Sequence, residues 1–210
     1  MPSTTTAGRP KHSICVYCGS ASGSDPAYLA AAQTLGRSMA AAGLGLVYGG
    51  GGIGLMGEVA RAVRENGGYV LGVIPAFLQA REVHFKGASE MIVTADMHER
   101  KMLMFERADA FVALPGGIGT LEELIEQMTW AQLGRHGKPI IIADVLKFWR
   151  PLLTLLGHME TEEFLRKPFL DNGARTLYEV VTDAATIVPK IQSMLKAVPA
   201  GAGEDITGRF

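Results

Sequence analysis

Leu44-Gly45-Leu46-Val47-Tyr48-Gly49-Gly50-Gly51-Gly52-Ile53-Gly54-Leu55-Met56-Gly57 passes from an apolar run, through a glycine tract, into a segment of helical periodicity that continues to Glu65. An apolar run without polar alternation reads as a strand covered on both faces, and a change of period across glycines marks one βα unit. The rhythm recurs along the chain. It predicts strands near Ser13–Gly19, Leu44–Tyr48, Tyr69–Ile74, Glu90–Thr94, Ala110–Leu114 and Pro139–Ala143, with a weaker one near Leu177–Val181. Helices are expected at Pro26–Ala42, Ile53–Glu65, Met97–Arg107, Gly119–Leu133, Trp149–His158 and Ala184–Ala197, while Phe77–Ser89 fits neither pattern.

Repeated βα units specify a parallel sheet whose right-handed crossovers place helices on both faces. The expected fold is therefore α/β, a Rossmann-like doubly wound parallel sheet of about seven strands. With 210 residues, of which 48% are hydrophobic, the chain has enough apolar material for one core, read as a single domain over 13–197. The segments 1–12 and 198–210 are rich in small and polar residues and are expected to be disordered tails. Lys+Arg 20 against Asp+Glu 21 gives a net charge of −1, which argues against a nucleic-acid partner. The first dozen residues hold no apolar run, so neither a signal peptide nor a membrane anchor is expected, and a soluble cytoplasmic protein is.

Ligands of such sheets bind beyond the C-terminal ends of the strands. Three glycine clusters fall there: Gly19–Ser20, Gly49–Gly52 with Gly54, and Pro115–Gly117 with Gly119–Thr120. Glycines let backbone N–H groups approach an anion, and a following helix adds the positive end of its dipole. Gly52-Ile53-Gly54-Leu55-Met56-Gly57 matches G-x-G-x-x-G, but it follows the second strand and lacks the ribose-binding acid about 20 residues on, where Val73-Ile74-Pro75 stands. A dinucleotide site is therefore disfavoured. Cys15 and Cys18 form a C-x-x-C, yet side chains three apart on a strand face opposite ways, so two core thiols are expected rather than a redox or metal pair. The histidines are scattered without metal-ligand spacing, and Ser20 lacks the G-x-S-x-G context of a nucleophile.

Gly51-Gly52-Ile53-Gly54 recurs as Gly116-Gly117-Ile118-Gly119, and Glu58 then aligns with Glu123. Thr120-Leu121-Glu122-Glu123 has the spacing of a capping box, so capping and catalysis compete for Glu123. A helical projection puts Leu121, Leu124, Ile125 and Met128 on the core face and Thr120, Glu123 and Gln127 on the other, facing water or a cleft. Asp96 and Glu99 have the same capping spacing at the start of Met97-His98-Glu99-Arg100-Lys101. Arg100 shares a face with Met97, Leu103 and Met104, which suits either an arginine whose stem lies on the core or one whose head meets an anion.

Pro115-Gly116-Gly117-Ile118-Gly119-Thr120-Leu121-Glu122-Glu123 reads P-G-G-x-G-T-x-x-E. Together with Met97–Lys101, Val16-Tyr17-Cys18-Gly19-Ser20, Val47–Gly51, Gly54–Gly57, Leu71–Pro75 and Trp130–Gly134, it resembles the Lonely Guy family of cytokinin riboside 5′-monophosphate phosphoribohydrolases. The resemblance runs from about Ile14 to Pro139 and is weaker over Asp144–Trp149. It implies cleavage of a nucleoside 5′-monophosphate into free base and ribose 5-phosphate, without a cofactor. It also implies phosphate binding by Gly116, Gly117, Gly119 and Thr120, and a catalytic pair of Arg100 and Glu123. Gly19, Ser20, Gly49, Gly50, Gly51, Met97 and Lys101 complete the expected substrate-binding set. Members of the family are often labelled lysine decarboxylases, but no lysine stands placed for a pyridoxal Schiff base. The alternative is a non-catalytic nucleotide or molybdenum-cofactor carrier of the same fold, for which the cleft carboxylate would be superfluous. The family includes dimers, and Trp130, on the polar side of its helix, suggests a homodimer interface near the site.

Overall fold

The computed structural model describes residues 8–79, 84–165 and 177–197. Seven strands, β1 (Ser13–Tyr17), β2 (Gly45–Tyr48), β3 (Val70–Pro75), β4 (Glu90–Thr94), β5 (Ala110–Ala113), β6 (Ile140–Ala143) and β7 (Glu179–Val181), form one sheet in the order β4-β3-β2-β1-β5-β6-β7. All of the pairings are parallel. The helices are α1 (Pro26–Ala41), α2 (Gly54–Glu65), α3 (Ala76–Gln79), α4 (Met97–Glu106), α5 (Ile118–Gln132), α6 (Arg150–Thr161) and α7 (Ile187–Ala197). The tails expected to be disordered fall mainly on 1–7 and 198–210, outside the described residues. Of the rest, Pro10 lies against Gly45, whose N–H donates to the His12 carbonyl at 3.0 Å.

Side chains alternate across β1 and divide the core in two. Ile14, Val16 and Cys18 join α1, α2 and α7 on one face, while Cys15 and Tyr17 join α4, α5 and α6 on the other. Burial pushes both thiols up, Cys15 and Cys18 alike, which leaves them inert and separated by the sheet. β1 lies between β2 and β5: α1 leads the chain one way, and α4 brings it back from the edge strand β4 to β5. The order reverses at β1 and β5, and the crevice above them is where this class of sheet binds ligands.

Helix starts follow local chemistry. Asp25 accepts from Ala27 N at 2.8 Å ahead of Pro26, and Asp96 accepts from Glu99 N at 2.9 Å while Glu99 reaches back to Ala95 N at 2.7 Å. The segment Phe77–Ser89 begins within the short α3, and beyond 80–83 His84 bridges to Gly51 and Phe85 N donates to Gly50 O at 3.1 Å. The helix expected at Trp149–His158 starts one residue later, because Trp149 N is held by the Asp144 carboxylate at 2.9 Å. The one expected at Ala184–Ala197 divides into a 3₁₀ turn (Ala184–Thr186), capped by Asp183, and α7.

Two expectations for α5 are corrected. The helix begins at Ile118 with Gly117 as its N-cap, so Thr120 lies inside it and no Thr120–Glu123 capping box forms. Its buried face carries Thr120, Glu123, Leu124, Gln127, Met128 and Ala131, leaving Ile125 36% and Ile118 81% exposed. A projection that ranks side chains by polarity rotates the helix wrongly here. Arg100 on the facing helix supplies a partner that makes burial of Glu123 tolerable.

Candidate active site

The ends of β1 and β5 are tied by Gly19 N, which donates to Pro115 O at 3.0 Å. Past them the chain turns through Gly116 and Gly117 into α5. Each glycine here has its own reason. A Cβ on Gly116 would strike the Thr120 side chain, whereas one on Gly117 or Gly119 would meet nothing within 4 Å. Internal packing therefore does not require glycine at 117 and 119. What it leaves is a solvent-open helix N-terminus with no side-chain cap, suited to close approach by an anion. Thr120 is buried directly beneath it.

The second glycine tract behaves differently. At the start of α2, Met56 N donates to Gly19 O at 3.2 Å and Leu55 N to Ala21 O at 3.4 Å, so these amides are already satisfied within the chain. Gly54 has φ +59 and the Ser20 carbonyl packed where a Cβ would stand, which explains the glycine without a ligand. Gly49, Gly50 and Gly51 are all buried, and Ser20 is exposed at the rim. Gly50 takes φ +81.

Arg100 and Glu123 meet from α4 and α5. The Arg100 Nη1 donates to Glu123 Oε1 at 2.9 Å, and its Nε donates to the Val73 carbonyl at 3.1 Å. Both residues are 8% exposed. Burial raises the pKa of Glu123 above its ordinary 4.5, against the opposing pull of Arg100. Such a carboxylate is poorly hydrated and held by one directional partner, the setting in which charge acts most strongly on a neighbouring cation. Glu123 sits one helical turn past Thr120, between the open glycines and Arg100. Met97, half-buried, opens α4 three residues before Arg100.

Lys101 binds Glu122 Oε1 at 2.6 Å and Glu126 Oε1 at 2.9 Å. The ammonium is thereby committed to clamping α4 on α5. Glu122 and Glu126, four apart, carry a signal that the sequence reading passed over. Val73 carries none, because its contribution is a backbone carbonyl. Gln127, fully buried one turn past Glu123, has no hydrogen bond on either amide atom, and its place on the inner face was also missed. Trp130 is half-buried beneath its own chain: Phe105 packs edge-on at 5.0 Å and the Arg135 guanidinium stands 4.4 Å above its ring. Among the described residues no group of three or more His, Cys, Asp or Glu could hold a metal ion.

Residues 56–191 match a family model described as "possible lysine decarboxylase". A cytokinin riboside 5′-monophosphate phosphoribohydrolase of Arabidopsis thaliana is 50% identical over 152 residues, 72% of this chain and 70% of that protein. Another, of Oryza sativa subsp. japonica, is 46% identical over 181 residues, 85% of this chain and 75% of that protein. Among solved structures, a molybdenum cofactor carrier protein from Chlamydomonas reinhardtii superposes with a TM-score of 0.67 at 21% identity. The match covers 91% of this chain and 100% of that one, a likeness of fold. At such identities to the two plant proteins, and with the Arg100–Glu123 pair beside the open glycines, the chain belongs to the Lonely Guy family of cytokinin riboside 5′-monophosphate phosphoribohydrolases.

Proposed function

We propose that this protein hydrolyses the N-glycosidic bond of a nucleoside 5′-monophosphate, a cytokinin riboside 5′-monophosphate or AMP, giving free base and ribose 5-phosphate. The observation that carries the reading is a buried Arg100–Glu123 ion pair one helical turn from an open, uncapped glycine N-terminus. Phosphate docks on the amides around Gly117 and Gly119, with Thr120 beneath. The sugar then lies toward Glu123. As the C1′–N bond breaks, its electron pair leaves with the base and positive charge develops on the sugar. The Glu123 carboxylate stabilises that charge and orients the water whose oxygen bonds to C1′; that water gives up a proton to the solvent and the departing base nitrogen takes one up, so the products are free base and ribose 5-phosphate. Arg100 keeps Glu123 anionic and aimed. A carrier of the same fold would use the open glycines but has no need of a buried carboxylate beside them.

No helix among the described residues is long and apolar enough to cross a membrane, and we place the enzyme in the cytoplasm. We also propose a homodimer. Trp130 is half covered by its own chain, whereas Ile118 and Ile125 on α5 and Leu133 at its C-cap stand exposed and support the interface.

Incubation with AMP, isopentenyladenosine monophosphate and adenosine, with chromatography for free base, tests the activity. The monophosphates are expected to be cleaved and adenosine to be a far poorer substrate. Equal efficiency on adenosine would remove the phosphate cradle from the mechanism.

A further inference from the structure

Glycine at a buried position answers either to backbone conformation or to space, and Gly49 answers to space. Its φ lies outside the left-handed region that Gly50 occupies at +81, so a side chain at 49 meets no backbone strain. A Cβ there would instead collide with Nη2 of Arg100, with Cζ of the same guanidinium at 3.5 Å and Met56 Sδ at 3.3 Å. The guanidinium thus rests on a bare Cα at the end of β2. Each of its nitrogens has a defined neighbour: Nε the Val73 carbonyl, Nη1 the Glu123 carboxylate, Nη2 the Cα of Gly49.

We propose that Gly49 is a positioning residue, the seat that lets Arg100 reach Glu123, and not part of the substrate-binding set in which the resemblance placed it. The inference rests on the hydrolase reading above, in which Arg100 keeps Glu123 anionic. A methyl group at 49 displaces the guanidinium by the depth of the overlap, and Glu123, already destabilised as an anion by burial, loses its directional hydrogen bond and part of the attraction that opposes that burial.

The test is a double-mutant cycle of Gly49→Ala and Arg100→Ala, read by thermal melting and by AMP hydrolysis across pH. Gly49→Ala alone is expected to lower turnover about 10²-fold and to move the acid limb of the surviving activity upward. It should also lower Tm. In the Arg100→Ala background, where the methyl enters emptied space, the same substitution should lower neither Tm nor the residual turnover. A single variant that fails to fold while the double variant folds supports the seat in the same way. Equal Tm losses in both backgrounds, failure of both to fold, or activity losses that multiply would overturn it, since Gly49 would then pack against something else or meet substrate itself. If no form cleaves AMP the hydrolase reading falls, and the Tm cycle still decides whether Gly49 seats Arg100.

Discussion

Replacing Glu123 with Gln separates the chemistry of this site from its architecture. The side chain keeps its size and an oxygen to accept from Arg100 Nη1, now at 2.9 Å from Oε1, but loses its charge. If that charge faces the developing cation in a site that is only 8% exposed, its removal should cost about 10²-fold in turnover, roughly 2.7 kcal/mol of transition-state stabilisation. Stability should change little, because two effects oppose each other. Burial raises the folded-state pKa of Glu123 even with Arg100 beside it, which favours a neutral Gln, whereas the buried Arg100 guanidinium loses its counter-charge. One kcal/mol corresponds to about 2–4 °C in a chain of this size, so a Tm within that range of the parent is expected. The pH profile supplies a second reading. In the parent, activity falls as pH drops through the raised pKa of Glu123, placing the acid limb above 4.5; in the Gln variant that limb disappears. The assay is release of free base from AMP over a pH series, beside a thermal melt. A folded Gln variant with near-normal turnover would refute the mechanism and leave Glu123 only its buried ion pair with Arg100.

His136 should make stability depend on pH: burial pushes it down from 6.5 to about 4, with the Lys138 and Arg135 charges adding to the shift and the hydrogen bond between Nε2 and Gln127 O opposing it. The unfolded chain therefore binds the extra proton first, and about 3 kcal/mol of stability present above pH 6.5 is lost as pH falls toward 4. Denaturant titrations should show this slope and its absence in His136→Gln; an unchanged slope would assign it to other groups. For the dimer, light scattering at micromolar concentration should give twice the chain mass, and Ile125→Lys should give monomers. A parent that is monomeric there sinks the proposal.

The sequence by itself determined the architecture, because parallel strands covered on both faces must be apolar throughout and glycines must punctuate their ends. Glu90–Thr94 is found as read, the other strands differ by a residue or two at their ends, and the three glycine clusters do lie at strand ends. Cys15 and Cys18 were assignable to opposite faces from the period of two alone. Arg100 and Glu123 could be named from motifs but not joined, since they stand 23 residues apart on different helices. The rotation of α5 was beyond the pattern, because polarity predicts exposure only where no partner waits inside. The same limit hid the division of labour among the glycines. Gly117 and Gly119 look out on open space, Gly54 accommodates the Ser20 carbonyl and Gly49 accommodates a guanidinium, yet the letters are identical. A glycine's sequence context states that a side chain is missing; only the tertiary structure shows what occupies the space it leaves.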